Sequence, residues 1–123
     1  MELATEFITR KNEEYKKKNI IKVKDIGRKG NIFFIREAWT FYTQSNLDKK
    51  VFIIERLRKE QKEGDIAYKN WKKGDIEYRI GYYIVGQIGR AKDRWIWGQF
   101  CPLIPLDDFN NLLNQAKKEK VIL

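Results

Sequence analysis

Ile76-Glu77-Tyr78-Arg79-Ile80-Gly81-Tyr82-Tyr83-Ile84-Val85, followed after a basic turn by Trp95-Ile96-Trp97-Gly98-Gln99-Phe100, is the stretch whose reading decides the fold. Ile76, Tyr78, Ile80, Tyr82, Ile84 and Ile88 share one parity, and Ile96 and Phe100 resume it beyond the turn. That period of two predicts a long β-hairpin, running from Gly74 to Phe100, with one buried isoleucine face. Pairing Arg90 with Arg94 around a three-residue loop sets Gly89 opposite Trp95, Gln87 opposite Trp97, Val85 opposite Gln99 and Tyr83 opposite Cys101. The second face then carries Trp95, Trp97, Tyr83, Gln87 and Arg79, fringed by Arg90, Lys92 and Arg94.

Such a face has a chemical use. Tryptophan and tyrosine displayed on a sheet stack on unpaired bases for roughly 1 to 3 kcal/mol per base, and arginine and lysine around them hold phosphates. The candidate nucleic-acid-binding residues are therefore Arg79, Tyr83, Gln87, Arg90, Lys92, Arg94, Trp95 and Trp97. Gly81 and Gly89 are expected to leave open surface beside the aromatics, and Gly86 and Gly98 to mark a bend on the other side. The competing arrangement buries both faces, one under each terminal helix. Trp95 and Trp97 would then pack beneath the N-terminal helix, and binding would pass to the basic loops.

Working outward, residues 2 to 19 read as a helix, with Leu3, Ala4, Phe7, Ile8 and Tyr15 on one side and a lysine-rich second half. Residues 20 to 26 begin a strand and Gly27-Arg28-Lys29-Gly30 forms a turn. From Asn31 to about Thr43 a long strand places Phe33, Ile35, Trp39 and Phe41 on one face and Phe34, Arg36, Thr40 and Tyr42 on the other. Val51 to Leu57 is β-branched enough for another strand, while Arg58 to Glu63 fits strand or helix. Gly64-Asp65-Ile66 and Gly74-Asp75-Ile76 read as two similar strand starts after turns. Pro102 and Pro105 end the sheet. A C-terminal helix follows, with Asp107 and Asp108 at its positive end and a stripe of Leu106, Phe109, Leu112, Leu113 and Ala116 that should cover the isoleucine face. The expected fold is α+β: one domain over residues 1 to 123, with a mainly antiparallel sheet of five to six strands, a helix at each terminus, and the C-terminal helix on one sheet face.

Composition narrows the function classes. The 26 Lys and Arg against 17 Asp and Glu give a net charge of +9, which favours nucleic acid, an acidic protein or an anionic surface, although a Lys-rich proteome carries the same excess. With one cysteine, Cys101, and no histidine, an intramolecular disulfide and histidine acid–base chemistry are excluded, and no zinc or other cofactor is expected. No basic-then-apolar leader and no apolar run of about 18 residues is present, so a cytoplasmic location and no membrane association are expected. Lys16-Lys17-Lys18 and Lys72-Lys73 are solvated clusters that could extend a phosphate track.

The function expected from these residues is non-catalytic binding of nucleic acid, single-stranded DNA or RNA before duplex. A small inhibitor or adaptor that binds an acidic protein through the same Trp, Tyr and Arg surface is the alternative, since those residues also dominate protein hot spots. A metal-dependent nuclease is a further one, resting on Asp48 with Glu60-Gln61-Lys62 and on Asp65, Asp75 and Glu77. Unpaired edge strands would also permit a homodimer.

Overall fold

The computed structural model describes residues 1–27 and 29–123. Arg28, in the turn expected at Gly27 to Gly30, lies outside them. Helix α1 spans Ala4–Lys17, the strands are β1 Ile20–Lys24, β2 Asn31–Thr43, β3 Lys50–Glu63, β4 Ile76–Val85 and β5 Trp95–Trp97, and helix α2 spans Leu106–Lys118. The five strands pair in chain order as an antiparallel meander. The fold is thus the α+β arrangement expected, with a helix at each terminus.

Each face of the sheet receives one helix. Phe7 and Tyr15 of α1 pack on Phe41, Val51, Ile53 and Tyr83, while Leu112 and Ala116 of α2, with Val121, pack on Phe52, Ile54 and Tyr82. Alternation along β3 makes this possible, because consecutive residues Val51, Phe52, Ile53 and Ile54 are all buried and point to opposite faces. At the start of α1 the Glu6 carboxylate accepts the Leu3 N–H at 2.9 Å, satisfying one donor that the first turn cannot use internally. α2 is pinned at its other side by the buried Asp108 carboxylate, which accepts from the Ser45 N–H and hydroxyl.

Two bulges correct the simple alternation. The pairing of β2 with β3 slips between Arg36 and Ala38, leaving Glu37 as an extra residue, and again between Phe33 and Phe34. An extra residue moves the following side chains to the opposite face. Trp39 and Phe41 therefore face α1, whereas Phe33 and Ile35 look to the other side. Glu37 itself takes Arg56 and Arg58 in ion pairs of 2.7 Å each.

Other expectations change too. β3 continues as strand to Glu63, so the Arg58 to Glu63 segment is not helical. Only the second Gly-Asp-Ile opens a strand; the first belongs to the irregular connection 64–75. This connection folds back over the sheet, where Ile66 and Trp71 pack against the cluster of Ile32, Phe34 and Leu57. Asp25 holds it there: its buried carboxylate accepts the Ala67 N–H at 2.7 Å and the Gly27 N–H at 3.1 Å. α2 covers less of the isoleucine face than expected. Tyr78, Ile80 and Ile96 stay partly open, Leu106 and Phe109 point away from the core, and Ile88 lies in the turn.

Candidate nucleic-acid interface

The hairpin of β4 and β5 has a different register from the expected one. Tyr83 pairs with Trp97, Ile84 with Ile96 and Val85 with Trp95, so Trp97 lies opposite Tyr83 instead of Gln87. The connection is longer than three residues. It closes through Gly86 N–H to Arg94 O at 2.9 Å and Asp93 N–H to Gly86 O at 3.0 Å, around a 3-10 turn at Gly89–Ala91. Gly89 and Asp93 adopt left-handed backbone there, with φ of 62° at each, a conformation that glycine takes without steric cost. The change of register is even, so Trp95, Trp97, Tyr83 and Arg79 keep a common face, the one turned toward α1.

Burial divides these residues. Trp95 stacks on Phe7 of α1 with ring centroids 4.6 Å apart and planes at 18°, and its indole N–H donates to the Glu2 carbonyl at 2.8 Å. Tyr83 is buried beside Phe7 and its hydroxyl meets that of Tyr15. Burial, then the Tyr83 hydroxyl, pushes the Tyr15 phenol far above its ordinary range, so it stays neutral. Tyr83 is core, Trp95 is partly buried and packs against that core through its stack on Phe7, and neither leaves its ring exposed. Trp97 does: it retains 37% of its surface.

Gly81 explains how Trp97 lies. A Cβ built on Gly81 would meet Cη2 of Trp97 at 2.4 Å and Cζ2 at 2.6 Å, so the indole rests on the bare backbone of β4. The open surface expected at Gly81 is thus filled by Trp97. On the other side of the hairpin Gly98 serves Tyr82 in the same way. The Trp97 ring meets Tyr83 edge-on at 5.0 Å and 78°, and the Arg79 guanidinium lies 4.8 Å from its centroid. Edge-to-face and cation–π contacts of this kind contribute about 0.5 to 1.5 kcal/mol each.

Arg79 is positioned by a group the sequence reading did not single out. Glu55, fully buried on β3, accepts from Arg79 Nε at 3.2 Å and Nη2 at 3.1 Å, and from Arg36 Nε at 2.9 Å. Arg36 in turn sits 3.6 Å over the Tyr15 ring. One carboxylate facing two guanidiniums leaves a surplus positive charge at the sheet surface, and the partly open Arg79, with 34% of its side chain accessible, is where that charge meets solvent. The signal was present in the alternation Val51, Ile53, Glu55, which puts a carboxylate among core residues.

The remaining candidates lie on the turn. Arg90, Lys92 and Arg94 are exposed and make no ion pair among the described residues, while Gln87 is exposed and folds back to the Val85 carbonyl at 3.2 Å. The arrangement therefore offers one partly exposed indole with a guanidinium over its ring and a separate cationic loop. The nuclease acids do not meet. Asp48 precedes β3 and Glu60 lies near its far end, on the order of 35 Å away at strand rise, where Glu60 pairs with Lys73 at 3.4 Å. Among the described residues no three acids, histidines or cysteines are grouped to hold a metal ion. Among the same residues no helix is long and apolar enough to cross a membrane. Comparison with protein-family models, curated proteins and solved structures finds nothing that matches this chain.

Proposed function

We propose that the protein is a non-catalytic nucleic-acid-binding protein that takes single strands in preference to duplex. The observation that carries this reading is Trp97, a partly exposed indole resting over Gly81 with the Arg79 guanidinium over its ring. An indole face stacks on any unpaired base, and a guanidinium beside it can hold the adjoining phosphate. Paired bases in a duplex hide their faces from such a platform. The turn cations Arg90, Lys92 and Arg94 extend the positive surface and position the backbone without reading sequence. The test is a salt titration of binding to a labelled single strand and to a duplex of equal length. The single strand should bind tighter at every salt concentration, with log affinity falling linearly in log salt. Equal affinity for both forms would remove the role of stacking.

A second reading is favoured by the opposite side of the molecule. Ile80, Phe100, Leu103 and Leu106 are exposed apolar residues on and around the face that α2 covers incompletely. A protein partner would bury them. Absence of binding to either nucleic acid at low salt, where electrostatic attraction is strongest, would put this reading first.

A further inference from the structure

Arg79 borders a second feature, which stacking on Trp97 leaves unused. A cavity of about 220 Å³ opens beside it, floored by Ile32, Phe34 and Leu57, walled by Tyr68 of the 64–75 connection, and edged by Glu77 and Arg79. Its size selects its occupant: about 150 Å³ suffices for a benzene ring, whereas drug-sized ligands need about 300 Å³ or more. One flat heterocycle fits, between an apolar floor and an aromatic wall.

The polar groups at its edge are specific. Glu77 Oε1 takes the Lys59 ammonium at 3.0 Å, while Oε2 has no partner among the described residues. Arg79 commits Nε and Nη2 to Glu55, and Nη1 donates to nothing among the described residues. An ionised carboxylate only accepts, and it is best matched by two parallel N–H donors. Guanine alone among the common bases presents two such donors side by side, at N1 and at the N2 amino group, with the O6 acceptor next to them. Thymine and uracil flank their single N–H with carbonyl oxygens that a carboxylate repels. Cytosine and adenine set one amino group beside an acceptor nitrogen.

We propose that this cavity takes a single guanine base of the bound strand, with Glu77 accepting from N1–H and the N2 amino group and Arg79 Nη1 donating to O6. This rests on the nucleic-acid reading and gives it a base preference. The base enters flat against Tyr68, whose ring already has Lys59 Nζ 5.4 Å from its centroid. The neighbouring base is left to the indole of Trp97, because Arg79 borders both places.

The experiment compares a thymidine oligonucleotide with the same strand carrying one central guanine, hypoxanthine, adenine or cytosine. A bidentate contact supports about a tenfold preference for the guanine strand. Hypoxanthine, which is guanine without its N2 amino group, should lose most of it. Glu77→Gln should abolish the difference between guanine and thymine strands. Tyr68→Ala, which removes a wall and leaves the Lys59–Glu77 ion pair intact, should reduce it. Equal affinity for all five strands, or a guanine preference that survives both substitutions, overturns the cavity assignment while leaving the nucleic-acid reading in place. Failure of every strand to bind at low salt overturns both.

Discussion

Gly81→Ala is a change of one methyl group whose sign should depend on a residue sixteen positions away. In the native hairpin the new Cβ would fall 2.4 to 2.6 Å from Trp97, against the 3.5 to 4.0 Å or so at which carbon atoms attract, so the indole must lift by about 1 Å or more. Lifting forfeits the edge contact with Tyr83, about 0.5 to 1.5 kcal/mol, and the Arg79 cation–π contact, about 0.5 to 1 kcal/mol. Against this stands a gain of about 0.5 to 1 kcal/mol, because alanine is stiffer than glycine inside a strand. The net expectation is a loss of about 1 kcal/mol, or roughly 4 °C in melting temperature for a chain of this size. In a Trp97→Ala background the obstacle has gone and only the gain remains, so the same substitution should stabilise by about 0.5 to 1 kcal/mol. Urea or thermal melts of the four proteins of this double-mutant cycle measure both numbers. If Gly81→Ala destabilises equally with and without Trp97, the glycine serves the backbone and not the indole, and the account of how Trp97 is laid down is wrong.

Trp95→Ala should cost stability, though less than the roughly 3 to 5 kcal/mol of a fully buried tryptophan, because it removes a partly buried ring stacked on Phe7; melts that show no loss, alongside impaired binding, would return Trp95 to the interface. The hydrogen bond from Arg58, assisted by Arg56, holds the Glu37 carboxyl below its ordinary value of 4.5. A depressed folded-state pKa stabilises above the unfolded value and is lost as pH falls through the folded one, so stability should decline below about pH 4.5, and Glu37→Gln should decline less over the same interval. Urea melts of the two proteins across that interval decide it, and parallel curves would deny the ion pairs any role.

Much of the architecture was legible because burial leaves period and polarity in the chain. The run Val51 to Ile54 and the stripe Leu112, Ala116 announce a sheet covered on both sides, and the parity of Tyr83, Trp95 and Trp97 gave their common face. Register was not legible. The turn between β4 and β5 closes through left-handed Gly89 and Asp93, and nothing in its basic composition distinguishes a three-residue loop from this longer one. The bulge at Glu37 was hidden for the same reason, since one extra residue in thirteen leaves hydrophobic composition unchanged while reversing which side Trp39 faces. For the candidate site, the aromatics and arginines were the correct kinds of residue, but exposure separates Trp97 from Trp95 and Tyr83. That separation depends on which rings the first turns of α1 cover, a long-range matter that local pattern does not encode. The Glu55 carboxylate and the cavity of Tyr68 and Glu77 join β3, β4 and the 64–75 connection, and only the folded chain brings them together.

The central claim is that a single strand stacks on Trp97. It is tested most directly by the affinity of Trp97→Ala for a labelled single-stranded oligonucleotide at low salt, with the melting curve of the same sample. The account predicts a loss of roughly 1 to 3 kcal/mol, about 5- to 150-fold, with unfolding still cooperative and the dependence on salt unchanged, because a stacking contact has been removed and no phosphate contact with it. Unaltered affinity in a folded Trp97→Ala protein would contradict it.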